Sequence, residues 1–110
     1  MKSESPFSMD PFKMMQMIES AYARDLNPIY YRMERLQKKK ENLQADDTIN
    51  IKRRMDGEYS KRFDSLVKRI EDLIESLQDK WKVKRAELDK IYGSSMDYAL
   101  VKAIQKNFGD

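Results

Sequence analysis

Apolar residues recur at steps of three and four over most of the chain, and that rhythm predicts helices throughout. It is most regular in the second half, where Val67, Ile70, Ile74 and Leu77 are followed by Trp81, Leu88 and Ile91. Lys84 fills the one position that is not apolar. Such spacing is a heptad seam, and Phe63, Leu66 and Leu73 widen it on one flank. The stretch 47–92 has no proline and a single glycine, Gly57. It reads as one long charged helix of about 70 Å. A compact domain of this length is about 30 Å across, so the rod projects or finds a partner.

Upstream of the seam, Ile51, Met55, Tyr59 and Phe63 recur at steps of four. The apolar stripe therefore drifts between heptad and eleven-residue spacing, which predicts a nearly straight bundle with left-handed supercoiling only toward its end.

Two shorter helices are expected before the rod. Asp10-Pro11 is a start signal: the carboxylate caps free amides, and proline suits the first helical position. The helix over 10–26 carries Phe12, Met14, Met15, Met17, Ile18 and Tyr22, a wide apolar face. Asn27-Pro28 repeats the device, so a second helix is expected over 28–45, with a continuous kinked helix as the alternative. Ile29, Met33, Leu36 and Leu43 form its apolar face, and the stem of Lys40 covers the missing position. Residues 45–48 should hold the next break, with Asp46, Asp47 or Thr48 as cap. So short a link makes the helices on either side antiparallel neighbours.

Gly57 then either admits close backbone approach near Leu36 or marks a bend. Gly93 is placed to end the rod. A last helix over 95–108 presents Leu100, Val101, Ile104 and Phe108, and Gly109 stops it. The expected architecture is all-α. Two short N-terminal helices pack on one long helix as an antiparallel hairpin or coiled coil, with a short C-terminal helix. Residues 1–9 form a flexible lead whose Phe7 and Met9 could dock on the first helix, and 10–110 form a single domain.

Composition supports that class. Of the 110 residues, 37% are charged and 40% hydrophobic, with three glycines and three prolines. The net charge is only +3, from 22 basic and 19 acidic side chains. Acid-then-base pairs four residues apart, such as Glu34 with Lys38 and Asp64 with Lys68, each support an exposed helix by about 0.2–0.5 kcal/mol. The absence of cysteine removes any disulfide framework. No apolar run approaches the roughly 20 residues that span a bilayer, and the N-terminus lacks the apolar core of a signal peptide. A cytoplasmic protein that does not enter membranes is expected.

Chemistry is sparse. Without histidine or cysteine, the commonest general base, the thiol nucleophile and the usual zinc ligands are missing. The densest acidic patch, Glu71, Asp72, Glu75 and Asp79, lies among bases at helical spacing and reads as a solvated face rather than a metal site. The sequence therefore predicts no enzyme, no cofactor, no metal and no small-molecule substrate.

What remains is contact with other macromolecules. The expected function is a non-enzymatic protein–protein interaction or assembly protein: an adaptor, assembly factor or small inhibitor. It self-associates, as a homodimer or higher oligomer, through Phe63, Val67, Ile70, Ile74, Leu77, Trp81, Leu88 and Ile91. That expectation rests on the seam having no intrachain partner of matching length, the C-terminal helix of about 14 residues being the one candidate. Phe12, Met14, Met15 and Met17 form a softer surface for a separate protein partner. The alternative is nucleic-acid binding through Arg35, Lys38, Lys39, Arg53 and Arg54, with Glu34, Glu41, Asp56 and Glu58 offsetting that field. Shape of this kind is shared by many unrelated proteins and does not choose between them.

Overall fold

The Asp10 carboxylate accepts a 2.8 Å hydrogen bond from the Phe12 amide, and its carbonyl accepts one from Met14 at 2.9 Å. Helix α1 (Pro11–Ala45) starts on this cap, as the Asp10-Pro11 pair predicts. Two further helices follow in the computed structural model, α2 (Asp47–Met55) and α3 (Gly57–Phe108). The structure describes residues 10–108, and among them all regular structure is helical. The lead expected over 1–9, the docking of Phe7 and Met9, and the stop at Gly109 lie outside the described residues.

Helix boundaries depart from expectation at three places. Pro28 lies inside α1 and does not end it. Proline has no N–H for the Arg24 carbonyl, a cost of about 3 kcal/mol, but apolar faces continue on both sides and outweigh it. Gly93 likewise lies inside α3, and among the described residues no glycine has positive φ. About 1 kcal/mol of propensity is lost there, while buried Leu88 and Ala99 hold the flanking turns in register.

The third departure divides the expected rod at Asp56. This residue is extended (φ −134°, ψ 105°), and its amide closes α2 on the Lys52 carbonyl. Its carboxylate then accepts from the Glu58 and Tyr59 amides at 3.1 and 3.2 Å, so one residue ends α2 and caps α3. Gly57 opens α3, and a Cβ built on it would meet nothing within 4 Å. The close-approach reading of Gly57 therefore fails. The preceding break falls at Asp46, within the expected 45–48, where its side chain accepts from the Ile49 amide at 3.0 Å.

Packing divides the chain into two compact units, a terminal one (Met1–Asn27 with Val83–Asp110) and a central one (Pro28–Lys82). In the terminal unit, Met14 and Ile18 of α1 form a core with Ala99 of α3, joined by Tyr22, Tyr92 and Met96. Ala99 is completely buried and Ala103 nearly so, whereas Leu100, Val101 and Ile104 are exposed. The apolar face expected on the last helix is thus turned away from the core, because small alanines admit a closer helix approach. The side chain of Phe108 lies outside the described residues.

In the central unit, Phe63, Val67, Ile70 and Leu77 are buried on α3. The half-buried face of α1 is Ile29, Met33, Leu36, Lys40 and Leu43, as its spacing predicts. The Lys40 ammonium reaches Glu71 at 3.5 Å. Helix α2 buries no residue completely. Ile51 and Met55 are exposed, Met55 at 83%, so the stripe expected through them stops at the Asp56 break. Half-buried Ile49 and Arg53 face inward instead.

Candidate interaction surface

Two grooves run along the central unit, and they differ in charge. The first, of about 450 Å³, has Leu36, Leu73, Ser76 and Leu77 on its walls and floor. Arg32, Arg35 and Lys39 of α1 and Lys80 of α3 edge it, with no carboxylate among the lining residues. The second, of about 440 Å³, has Tyr30, Met33 and Ile74 beside Glu34, Lys38 and Glu41. Positions 32, 35 and 39 follow the helical period along one side of α1, and 34, 38 and 41 follow it along another. The first groove is therefore lined by bases without a carboxylate, while the second mixes Glu34 and Glu41 with Lys38. Glu34 and Glu41, expected to offset that field, line the second groove and not the first.

The five residues suggested for nucleic-acid contact do not form one surface. Arg35 and Lys39 share the basic groove, while Lys38 lines the other. Arg53 is engaged within the chain. Its guanidinium donates to Asp64 at 2.7 Å and to Ser60 at 3.4 Å, and lies 4.3 Å from the Phe63 ring centre. Arg54 is exposed on α2. Arg32 and Lys80 complete the groove and were not singled out from sequence as a pair. The signal was the step of three then four from Arg32 to Lys39.

The seam is largely filled from within. Phe63, Val67, Ile70, Leu77 and Leu88 are between 3% and 8% exposed in the single chain. Ile74 and Trp81 are half-buried, and only Ile91, at 65%, stands out. In the central unit the Lys40 ammonium of α1 reaches Glu71, and Leu36 of α1 shares a groove with Leu77, so α1 lies beside this part of α3. The exposed apolar residues of the central unit's α3 lie on the flank, Leu66 at 40% and Leu73 at 50%.

The methionine patch also divides. Met14 is buried and Met15 packs on the same core, while Phe12 and Met17 are exposed. The polar contacts of the terminal unit are longer-range. The Tyr22 hydroxyl donates to Asp89 at 2.6 Å, and Arg85 approaches the same carboxylate at 3.9 Å. That hydrogen bond raises the Tyr22 phenol above its ordinary value near 10, with burial and the Asp89 charge adding to it. Lys106 donates to Asp10 at 3.1 Å, and this bond, with the Phe12 amide, holds the Asp10 carboxyl below its ordinary value.

Glu71 is paired with Lys40, whereas Asp72, Glu75 and Asp79 are exposed. Among the described residues, no three carboxylates converge in a metal-holding arrangement. No helix among them is both long and apolar enough to cross a membrane. In comparisons with protein-family models, curated proteins and solved structures, nothing matches the chain.

Proposed function

We propose that the chain is a non-enzymatic interaction protein that lays helical surfaces against protein partners, a second copy of itself included, as an adaptor, assembly factor or small inhibitor does. Its scaffold in the central unit is an antiparallel helical pair. Lys40 facing Glu71, and Leu36 sharing a groove with Leu77, support that arrangement, since rising numbers on α1 meet falling numbers on α3. In the terminal unit, Asp10 with Lys106 and Tyr22 with Asp89 support the same sense.

The observation that carries this reading is half-exposed Leu73 beside Leu36 and Leu77 in a groove whose charged edge has one sign. An apolar centre with a polar rim is the make-up of protein contact surfaces, and a rim of one sign selects its partner. Self-association is placed on this flank rather than on the filled seam. Light scattering at about 100 µM should give a mass well above the 13.1 kDa of one chain. A mass that stays at one chain ends the self-association reading.

A second reading is favoured by the four bases of the same groove. Arg32, Arg35, Lys39 and Lys80 could track a phosphate backbone. Affinity for duplex DNA would then fall with log salt at about 0.9 per neutralised phosphate. Replacing all four with glutamine should flatten that slope by about 3.6 units. No shift of DNA or RNA at low salt ends this reading.

A further inference from the structure

We infer that the basic groove of the central unit takes an acidic amphipathic helix of another protein. This rests on the interaction reading above and names the chemistry of the partner. The groove lies between α1 and α3 and has bases on both edges. Arg32, Arg35 and Lys39 line the α1 edge, and Lys80 lines the α3 edge. All four are exposed, and none takes part in an ion pair among the described residues. Between the edges, exposure grades from Leu77 at 6% through half-buried Leu36 to Leu73 at 50%. Apolar surface is thus sunk between two edges of like charge.

Helical period extends the same surface along α3. Leu66, Arg69, Leu73, Ser76 and Lys80 follow at steps of three and four, so they share one side of the helix. All five are exposed, and none is acidic. The row is about 21 Å long, or four turns, which a helix of two heptads covers. A third helix laid here sets its a and d side chains on Leu36, Leu73 and Leu77. Its e and g positions then stand over the two basic edges, where glutamate is complementary. A phosphate backbone would satisfy the bases but lay nothing apolar on Leu36 and Leu73. The central unit of a second copy offers no such helix. Asp72, Glu75 and Asp79 lie by period on the side of α3 away from the groove, with Lys68 and Lys82. No apolar residue of the central unit's α3 shares that side, and Glu34 and Glu41 share their groove with Lys38. Copies that meet on Leu73 bring base against base, so an acidic helix displaces the copy from this flank.

The test uses the full-length chain and a labelled peptide of about three heptads, with leucine at a and d, glutamate at e and g, and alanine elsewhere. Fluorescence anisotropy should show saturable binding that weakens as salt is raised. Replacing Arg32, Arg35, Lys39 and Lys80 with glutamine should lower the affinity by about tenfold or more. The far-side set K68Q and K82Q should leave it unchanged. A peptide with serine at a and d should bind about tenfold more weakly, and one with lysine at e and g should not bind. Saturating peptide should also lower an oligomeric wild-type mass toward that of one chain with one peptide. Circular dichroism checks folding, and R35Q with K39Q serves if the fourfold variant unfolds.

No binding of the peptide at about 100 µM would overturn the inference, as would equal binding by the folded groove variant. Polyglutamate, duplex DNA or anionic vesicles that bind as tightly as the peptide would overturn it too, since charge alone is then read. A chain that self-associates yet ignores the peptide loses this inference and keeps the interaction reading. A monomeric chain that binds the peptide keeps this inference and loses self-association.

Discussion

The Tyr22 hydroxyl and the Asp89 carboxylate, 67 residues apart in sequence, are joined by a 2.6 Å hydrogen bond. Only the protonated phenol can donate it. The folded-state value of Tyr22 is raised, so its contribution to stability is full below the ordinary value near 10 and is lost as pH rises through the folded value. Alkaline unfolding of the wild type should therefore show a loss that Tyr22→Phe lacks. Asp89→Asn should bring the Tyr22 titration, followed by ultraviolet absorbance, back toward its ordinary value. An unchanged titration would show that the bond is not populated in solution.

Pro28 and Gly93 sit inside long helices at a cost in propensity, and neither has a turn to form. A Cβ on Gly93 would meet nothing within 4 Å. Gly93→Ala should stabilise the chain by about 0.5–1 kcal/mol in urea denaturation, and Pro28→Ala by up to about 3 kcal/mol. A loss of stability at Gly93 would mean that the backbone there is not helical.

Ala99 is completely buried where Met14 and Ile18 meet α3. Ala99→Leu adds three heavy atoms to a filled contact and should cost about 1–3 kcal/mol. Val101→Leu, which adds one heavy atom at an exposed position of the neighbouring turn, should be nearly neutral. Equal effects at the two sites would refute the observed facing of this turn.

Asp56 serves two helices, closing α2 and accepting from two amides of α3. Asp56→Ala should lower stability by about 0.5–2 kcal/mol, and Asp56→Asn should restore most of it. A neutral alanine variant would argue that α2 runs on into α3.

Much of the fold is written in short-range patterns. The caps at Asp10 and Asp46, the half-buried face of Ile29 to Leu43 and the apolar positions of the seam follow from local chemistry and period, whereas the burial of the seam within one chain does not. Errors arise where two local rules oppose each other or where packing decides. Pro28 and Gly93 are breakers by propensity, yet the apolar faces continue across them, and tertiary packing is the stronger term. Asp56-Gly57 was the opposite case. The stripe of Ile51, Met55 and Tyr59 runs past this breaker pair and favours one long helix, although Gly57 is compatible with a bend there. Ala99 and Ala103 went unnoticed since hydrophobic size, not smallness, marks a core in sequence.

The surface was legible only in part, because a linear reading sees charge interleaved and not sorted. Glu34 lies between Arg32 and Arg35 in sequence but lines a different groove. Helical periodicity, applied to charges as it is to apolar residues, would have separated them.

Helix α2 buries no residue completely and is tied to α3 chiefly by the side chains of Arg53 and Lys52. It therefore opens more cheaply than the packed helices on either side, and a protease cutting after basic residues finds Lys52, Arg53 and Arg54 where it opens. Cleavage there yields two fragments, one carrying α1 and the other α3. The contacts that join them, Lys40 to Glu71, Tyr22 to Asp89 and Asp10 to Lys106, need no peptide bond between the halves. The molecule is in this sense a two-piece protein held on a tether, which separately expressed halves could reassemble without.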